Sequence, residues 1–530
     1  MNTSHPLQYR RLFLYLGLLL ILTACRNQSS DSVRDIPATS ITPYEADYSQ
    51  QHRPRFHFSP SKNWMNDPNG LVYLDGEYHL FYQHFPDSTV WGPMHWGHAV
   101  SNDLVSWQHL PIALYPDSLG YIFSGSAVVD HNNTSGLGRD GKPPLVALFT
   151  HHDPIGERSG SKTFQTQSIA YSNDEGRTWT KYAANPVLQN PGKKDFRDPK
   201  VIWDESRAQW VMTLAVYDRA EFYTSPNLID WTYSGQFGIP GDDRLWECPD
   251  LFPIQVQGSE ETKWILITSI QKGAPNGGTA TSYFIGTFDG NQFIGDVSDQ
   301  RWLDYGTDDY AFVTWSNLPA SLDRRIGIGW MSNWDYAQVV PTNPWRSAMT
   351  LPRELKLYKT PTRYEIRTTP APNLSELILS SQKMQPTRIR NEVILVDQPN
   401  RPLVHRIQLT LDRPEEGSVW VRLSNQSDEF LDVGFDQDKN EYYIDRTHAG
   451  AGDFYEGFAS KHTGEIEIRN LCEMDIWIDH SSVELFADEG RCVMTELFFP
   501  STPFDNVTLM ADRDSVFVIS NVISELRSIW

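Results

Sequence analysis

A short turn that ends in an aromatic residue recurs through the first two thirds of the chain. Its copies are 102–107 (NDLVSW), 173–179 (NDEGRTW), 227–231 (NLIDW) and, more weakly, 288–293 (FDGNQF). Consecutive copies end 72, 52 and 62 residues apart. A unit of that length, made of about four strands, is typical of a β-propeller blade. This spacing predicts roughly five blades over residues 52–355.

Between these turns the chain carries short runs of β-branched and aromatic residues and almost no helical pattern. Examples are 146–150, 210–216 and 264–268, each bounded by Gly, Pro, Asn or Asp. A β-sandwich is the alternative for any all-β stretch, and the recurring turn with its aromatic residue favours the propeller.

The character of the sequence changes near residue 355. Residues 356–385 are polar, contain Pro361, Pro370 and Pro372, and predict an irregular connector. Short alternating strands resume in 386–530, which predicts a smaller β-sandwich with a structural role. The expected fold class is therefore all-β, with a five-bladed β-propeller followed by a C-terminal β-sandwich.

The N-terminus has the pattern of a targeting segment. Arg10 and Arg11 precede eleven apolar residues, 12–22, a run too short to span a bilayer. The sequence LTAC at 22–25 resembles a bacterial lipoprotein box. We expect 1–25 to be a lipoprotein signal peptide with a lipidated Cys25, and 26–51 to be a flexible tether. The protein would be exported and anchored to the cell envelope on an undetermined face; the alternative is an ordinary secretory signal.

Charge and cysteine content narrow the possible partners. The formal net charge of −22 argues against nucleic acid and anionic membrane surfaces, and it fits a neutral substrate. Contact with a membrane is expected only through the lipid anchor. Besides Cys25 there are Cys248, Cys472 and Cys492, which form no disulfide framework, although a 472–492 bridge stays open. No Cys/His cluster has metal-ligand spacing, so we expect no metal and no cofactor, and we assign His151 and His152 to a loop or rim.

Three acidic motifs carry the chemistry. They are NWMNDPNG at 63–70, DFRDPK at 195–200 and WECPDLF at 246–252, and each stands just before an apolar run. Asp67 is expected on a tight turn before a strand, where Gly70 supplies backbone freedom. Asp198 follows Asp67 by 131 residues, and Glu247 follows Asp198 by 49. At blade-sized spacing, equivalent turns point to one end of a propeller axis, so the three acids are expected to converge.

Converging carboxylates suit the hydrolysis of a glycosidic bond, which needs one ionised and one protonated acid. Asp67 lies among Asn amides and should stay ionised, which makes it the nucleophile. Glu247, between Trp246 and Cys248, should resist ionisation and act as the acid/base. Arg197 is expected to hold Asp198 charged, so that Asp198 stabilises a cationic transition state; a purely structural ion pair is the alternative.

These motifs, together with 123–126 (FSGS), 329–334, 344–354 and 479–486 (DHSSVELF), resemble glycoside hydrolase family 32. That family contains invertases, inulinases and levanases, and the resemblance covers nearly the whole chain after residue 52. It implies a five-bladed propeller with a C-terminal sandwich, and retaining hydrolysis of β-fructosides. Asp67, Asp198 and Glu247 would take the roles given above, with the carboxyl groups of Asp67 and Glu247 about 5–5.5 Å apart.

The resemblance also implies residues that bind the terminal fructose. These are Asn66, Gln83, Trp91, Ser126 and Arg197, with Tyr310, Trp334 and either Asp308 or Asp309 as weaker candidates. The sequence 91–99 resembles exo-acting levanases and fructanases, in which a Trp closes the pocket. An Asp precedes Tyr310 where levanases usually have an aromatic residue, so the preference in outer subsites stays open.

The expected function is that of a retaining exo-acting β-fructosidase that releases terminal β-D-fructosyl residues from levan or inulin, and from sucrose. Three alternatives stay open at this point. They are an endo-levanase of the same family, an inverting arabinan- or xylan-directed enzyme of the same architecture, and a catalytically inactive fructan-binding surface lipoprotein. The sequence does not determine the oligomeric state.

Overall fold

The computed structural model describes residues 47–319, 324–465, 469–512 and 516–530. The predicted signal peptide, Cys25 and most of the tether lie outside these residues. Within them, no helix is both long and apolar enough to cross a bilayer.

Five sheets of four or five strands follow one another between residues 63 and 370 of the described chain. The first contains β1 (Asn63–Leu74), β2 (Glu77–Phe85), β3 (His95–Ser101) and β4 (Gln108–Leu114). The second contains β5 (Tyr121–Val129), β6 (Leu145–His152), β7 (Gln165–Ser172) and β8 (Thr180–Lys181), with the short helix α1 (Pro154–Arg158) after β6. The third contains β9 (Phe196–Asp204), β10 (Gln209–Val216), β11 (Arg219–Ser225) and β12 (Thr232–Gly238).

The fourth sheet contains β13 (Trp246–Gln255), β14 (Thr262–Ile270), β15 (Ala280–Phe288), β16 (Phe293–Gly295) and β17 (Arg301–Trp302). The fifth contains β18 (Tyr310–Thr314), β19 (Arg325–Met331), β21 (Ala348–Met349), β22 (Arg353–Lys359) and β23 (Tyr364–Pro370). The short strand β20 (Trp345–Arg346) returns to the first sheet and pairs in parallel with β1.

The recurring turn joins the third strand to the fourth in each of the first four sheets. Its acid or amide side chain caps the backbone of the turn: Asp103 accepts from the amides of Val105 and Ser106. Asn227 accepts in the same way from the amides of residues 229 and 230. The indole of Trp231 then donates to the carbonyl of Leu228 at 3.0 Å. The repeat in the sequence is therefore an Asx turn, and in the copies at Trp179 and Trp231 the indole closes the turn by donating to its backbone.

The first strands of the five sheets lie at the centre of this half of the protein. β1, β5, β9, β13 and β18 each contact the first strand of the next sheet, and β18 contacts β1. Each of them has one extra residue relative to its partner strand, within 65–68, 122–125, 197–200, 247–250 and 310–313. Such bulges redirect side chains and interrupt the ladder of backbone hydrogen bonds.

The prediction of an irregular connector over 356–385 is wrong, because this segment has regular secondary structure. β22 and β23 form a hairpin there, and a 3₁₀ helix (Pro372–Leu377) leads into the first strand of the next domain. Alternating Leu355 and Leu357 are buried. Two of the prolines lie where they break no strand or helix, since Pro370 ends β23 and Pro372 begins the 3₁₀ helix.

The C-terminal part is a sandwich of two antiparallel sheets. One contains β24 (Ile378–Lys383), β25 (Thr387–Ile389), β27 (His405–Asp412), β32 (Leu471–Ile478), β33 (Ser482–Ala487), β34 (Cys492–Leu497) and β36 (Val516–Leu526). The other contains β26 (Glu392–Asp397), β28 (Ser418–Ser424), β29 (Phe430–Asp436), β30 (Glu441–His448), β31 (Lys461–Glu465) and β35 (Asn506–Ala511). Cys472 and Cys492 are buried with free thiols, which excludes a bridge between them.

A buried ionic cluster joins this sandwich to the fifth sheet. Arg353, at the start of β22, donates to Asp304 at 2.9 Å, Asp309 at 3.0 Å and Glu484 of β33 at 2.6 Å. His57 lies between Glu484 and Asp479, with both contacts at 2.8 Å. Burial alone would lower the pKa of His57, but these two carboxylates raise it to about 9. The DHSSVELF signature therefore supplies the sandwich half of the interface.

Arg353→Met should lower the free energy of unfolding by about 3–5 kcal/mol, because it removes the cation that binds buried Asp304 and Asp309 and leaves Glu484 paired with His57. Urea denaturation measures the change. Arg177→Met is the matched control, since its pair with Glu77 is at the surface and the arginine side chain is 44% exposed. The control should change stability by about 1 kcal/mol or less. Equal losses in the two variants would contradict the role of the buried cluster.

Candidate active site

The three acidic motifs meet at one open pocket of about 280 Å³. β1, β9 and β13 carry Asp67, Asp198 and Glu247 into its wall, and β5 carries Ser124. All four residues lie at the bulges of their strands. The bulge is what turns these side chains from the packed layers between sheets towards a common opening.

Asp67 lies within β1 rather than on a turn before a strand, so that local prediction is wrong. Its Oδ2 accepts from the hydroxyl of Ser124 at 2.6 Å and from the thiol of Cys248 at 3.3 Å, while Oδ1 accepts from the amide of Asn66 at 3.0 Å. Gly70 has the positive φ expected for it, 53°. A Cβ there would meet the ring of Phe81 at 2.6 Å, so only glycine fits.

The hydrogen-bond donors around Asp67 lower its pKa by less than burial raises it. The pKa of Asp67 is raised above its ordinary value, first because the carboxyl is removed from water and also because Glu247 is near. The hydrogen bonds from Ser124, Asn66 and Cys248 act in the opposite direction. Amide donors alone therefore do not decide this pKa, because a sequence shows donors but not the depth of burial; that Asp67 is ionised stays a prediction.

Glu247 has different neighbours from those that its sequence suggests. Trp246 packs away from it into the core against Phe284, and Cys248 turns towards Asp67. The Glu247 carboxylate instead accepts from Arg197 at 3.0 Å and from the hydroxyl of Tyr310 at 2.6 Å. Consecutive residues of a strand point to opposite faces, which separates Glu247 from both residues that flank it.

The sequence predicted a close pair between Arg197 and Asp198, but the structure places Arg197 nearer to two other carboxylates. Its guanidinium binds Asp195 at 2.7 Å and Glu247 at 3.0 Å, and lies 3.9 Å from Asp198. Asp198 has a φ of 61°, and its Oδ2 accepts from the amide of Cys248 at 3.0 Å. Burial, together with the carboxylates of Glu247 and Asp67, raises the pKa of Asp198 to about 7 despite the nearby Arg197.

Most of the predicted fructose-binding residues lie in the wall of the pocket. They are Asn66, Gln83, Trp91, Arg197 and Trp334. Tyr310 does not line the pocket but donates to Glu247.

Three other candidates lie elsewhere. Ser126 is two residues deeper along β5 than Ser124, and its hydroxyl bonds the backbone of β9 at Pro199 and Val201. Asp308 and Asp309 are fully buried and pair with Arg446 and Arg353 at the interface with the sandwich. The structure therefore places neither Ser126 nor either of the alternatives Asp308 and Asp309 in the pocket wall, in contrast to the prediction.

The sequence analysis missed several residues of the pocket. They are Phe123, Ser124, His152, Glu157, Gln165, Asp195, Gln271 and Gln338. Ser124 and Asp195 stand inside motifs that were recognised, so their spacing to the acids could have indicated them. His152 was assigned to a loop or rim, but it ends β6 inside the pocket, where its ring stacks on Phe123 with centroids 4.2 Å apart. Gln271 and Gln338 lie outside the three acidic motifs, and no motif around them indicates a binding role.

No group of three or more His, Cys, Asp or Glu side chains in the described part of the chain is arranged to hold a metal ion. The site therefore consists of carboxylates, one guanidinium, hydroxyls, amides and aromatic rings, which together can bind a polyol and transfer protons.

Comparison with known proteins assigns this site to a family. The family model "Glycosyl hydrolases family 32 N-terminal domain" matches residues 57–370, and "Glycosyl hydrolases family 32 C terminal" matches residues 373–524. The chain belongs to glycosyl hydrolase family 32. The family resemblance read from the motifs is thereby confirmed, and so is a β-propeller followed by a β-sandwich. The count of five blades stays a prediction.

Individual members of family 32 are similar over nearly the whole chain. A levanase from Bacillus subtilis is 44% identical over 91% of this chain and 72% of its own length. The crystal structure of an exo-inulinase from Aspergillus awamori superposes with a TM-score of 0.84 at 35% identity, covering 91% of this chain and 100% of that one. A β-fructofuranosidase from Schwanniomyces occidentalis, solved with fructosyl-erythritol, gives 0.82 at 32% identity, covering 91% and 99%.

Proposed function

We propose that the protein is a retaining, exo-acting β-fructosidase that releases terminal β-D-fructosyl residues from levan, inulin and sucrose. The observation that carries the proposal is the meeting of Asp67, Asp198 and Glu247 in one pocket. The similar levanase, exo-inulinase and β-fructofuranosidase support a fructosyl substrate. They do not favour an endo-levanase, an arabinan- or xylan-directed enzyme or an inactive binding protein.

In the first step Asp67 attacks the anomeric carbon of the terminal fructosyl unit, and the bond to the leaving oxygen breaks. Glu247 donates its proton to that oxygen. In the second step water attacks the fructosyl–Asp67 ester and gives a proton to Glu247, which restores both carboxyl groups. Ser124, Asn66 and Cys248 hold the Asp67 carboxylate in one orientation. Arg197 and Tyr310 do the same for Glu247.

Asp198 stabilises the positive charge that develops on the sugar in the transition state of each step. Its pKa of about 7 in the free site reflects burial among carboxylates. An oxocarbenium-like charge beside Asp198 favours the ionised form, so the attraction is strongest in the transition state. The position of Trp91 supports a pocket for a single residue at the chain end, since Trp91 lies in the pocket wall. Its ring is T-shaped to the ring of Phe123, with centroids 6.1 Å apart.

The purified protein should release fructose from levan, inulin and sucrose from the earliest time point, with the β-configuration retained in the first product. Chromatography of a time course and NMR of fresh product measure both properties. Asp67→Ala should remove turnover while leaving the melting temperature and fructan binding in place. Early oligosaccharides without fructose would indicate endo action, and an inverted product would exclude Asp67 as nucleophile.

Ser124→Ala should move the acid limb of the kcat/KM profile to higher pH. The Ser124 hydroxyl lowers the pKa of Asp67, so its loss raises that pKa further, and activity is lost as pH falls through it because the nucleophile must be ionised. Ser168→Ala is the matched control, since this buried hydroxyl of β7 bonds His151 rather than an acid of the site. An unchanged limb in Ser124→Ala, or an equal shift in both variants, would contradict the effect on Asp67.

We also propose that the protein is exported and anchored to the cell envelope by a lipid on Cys25. The proposal is based on the apolar run 12–22 and the sequence LTAC at 22–25. Wild-type protein expressed in a bacterium should partition into the detergent phase and incorporate labelled fatty acid, whereas Cys25→Ala should do neither. Aqueous, unlabelled wild-type protein would contradict the anchor.

A further inference from the structure

A buried lysine–aspartate pair lies beneath the active site and takes no part in the chemistry described above. Lys200 of β9 places its ammonium 3.0 Å from the carboxylate of Asp250 in β13. The same ammonium donates to the carbonyl of Thr314 in β18 at 2.5 Å. The amide and hydroxyl of Thr314 both donate to Asp250 at 2.8 Å. Three strands of three different sheets are thus joined at one point.

The pair is separated from the substrate. Neither Lys200 nor Asp250 lines the active-site pocket, and their side chains are 6% and 0% exposed. A cavity of about 10 Å³, lined by Asp198, Lys200 and Cys248, lies below the floor of that pocket. Stability alone gives a weak reason for such a pair, because apolar residues often replace a buried ion pair without loss.

The position of each partner along its strand suggests what the pair does. Lys200 follows Asp198 by two residues, and Asp250 follows Glu247 by three. Between each acid and its partner lies a bulge that contains a proline, Pro199 or Pro249. Proline donates no backbone hydrogen bond and a bulge interrupts the ladder, so the sheets themselves fix the acids poorly.

The third strand repeats this arrangement. Tyr310, which donates to Glu247, is separated from Thr314 by the bulge of β18, where Ala311 has a φ of 55°. β9, β13 and β18 belong to separate sheets, so no ladder of backbone hydrogen bonds joins them. Side-chain contacts must therefore set their spacing. The bonds from Arg197 and Tyr310 to Glu247 join the three strands at the pocket, and the cluster at Lys200 joins them again on the far side of the bulges.

We propose that Lys200, Asp250 and Thr314 form a positioning cluster that sets the distance between Asp198 and Glu247 and keeps Tyr310 on Glu247. The cluster acts through the strands and touches no substrate. The inference rests on the proposed β-fructosidase function, since its effect is read from turnover. It adds three residues whose loss changes catalysis without removing a catalytic group.

Lys200→Met is the primary test, with sucrose as substrate. It removes the ammonium while keeping an unbranched apolar chain, so that β9 and β13 lose the link between Lys200 and Asp250. A displacement of about 1 Å between reacting groups costs about 100-fold in rate, so kcat should fall by about 10- to 100-fold. KM should change by less than about threefold, because the residues that line the pocket stay in place.

The pH profile separates positioning from a simple loss of stability. The amide of Cys248 lowers the pKa of Asp198, and separation of β13 from β9 weakens that bond. The pKa of Asp198 should then rise, which moves the acid limb of kcat/KM to higher pH. Thr314→Val, which removes only one hydroxyl, should fold normally and show a smaller change in the same direction.

Leu266→Ala is the matched control, because Leu266 is buried in β14 of the same sheet as Asp250 and packs in a hydrophobic cluster that contains none of the three residues. It should lower the melting temperature without moving kcat or the acid limb. The proposal is overturned if folded Lys200→Met and Thr314→Val keep the wild-type kcat and pH profile, or if Leu266→Ala reproduces their changes. Wild-type protein that fails to hydrolyse sucrose, levan and inulin would instead contradict the proposed function.

Discussion

The buried contacts of Arg353 connect the two halves of the molecule and lead to the proposed catalytic residues. One guanidinium satisfies Asp304 and Asp309, just before β18, and Glu484 of the sandwich. The next residue after Asp309 is Tyr310, whose hydroxyl holds Glu247. The sandwich thus fixes the start of the strand that orients the proposed acid/base. A domain without a catalytic carboxylate is part of the catalytic architecture because a buried charge tolerates little displacement from its partner.

The inner strands direct side chains into the pocket by means of bulges. A strand at the centre of packed sheets is buried on both faces, so regular alternation gives its side chains no route to water. The extra residue in β1, β5, β9 and β13 aims Asp67, Ser124, Asp198 and Glu247 into the pocket. The bulges also interrupt the ladder of backbone hydrogen bonds next to the acids, whose positions must be held most closely. Side-chain bonds between strands, at Ser126 and at Lys200, replace the missing backbone bonds.

Features set by a few adjacent residues could be predicted from the sequence. The capped turns at Asp103 and Asn227 are formed by side chains that bond the amides next to them. The acids could be found because each motif surrounds its own bulge. The partners of those acids could not, since Arg197 meets Glu247 across 50 residues and Tyr310 meets it across 63. Ser124 and Ser126 differ only in depth along one strand, which a sequence does not record.

The charge balance of the pocket explains why local reasoning failed for the pKa values. Asp67, Asp198 and Glu247 share a buried site with one guanidinium, which also binds Asp195. Three ionised carboxylates would leave this site strongly negative away from water, so burial raises the pKa of Asp67 and Asp198. The empty pocket therefore disfavours charge on both of these carboxyl groups. A developing cation on the sugar favours the ionised form of Asp198, and the same burial that opposes ionisation in the empty pocket strengthens the attraction of Asp198 for the transition state.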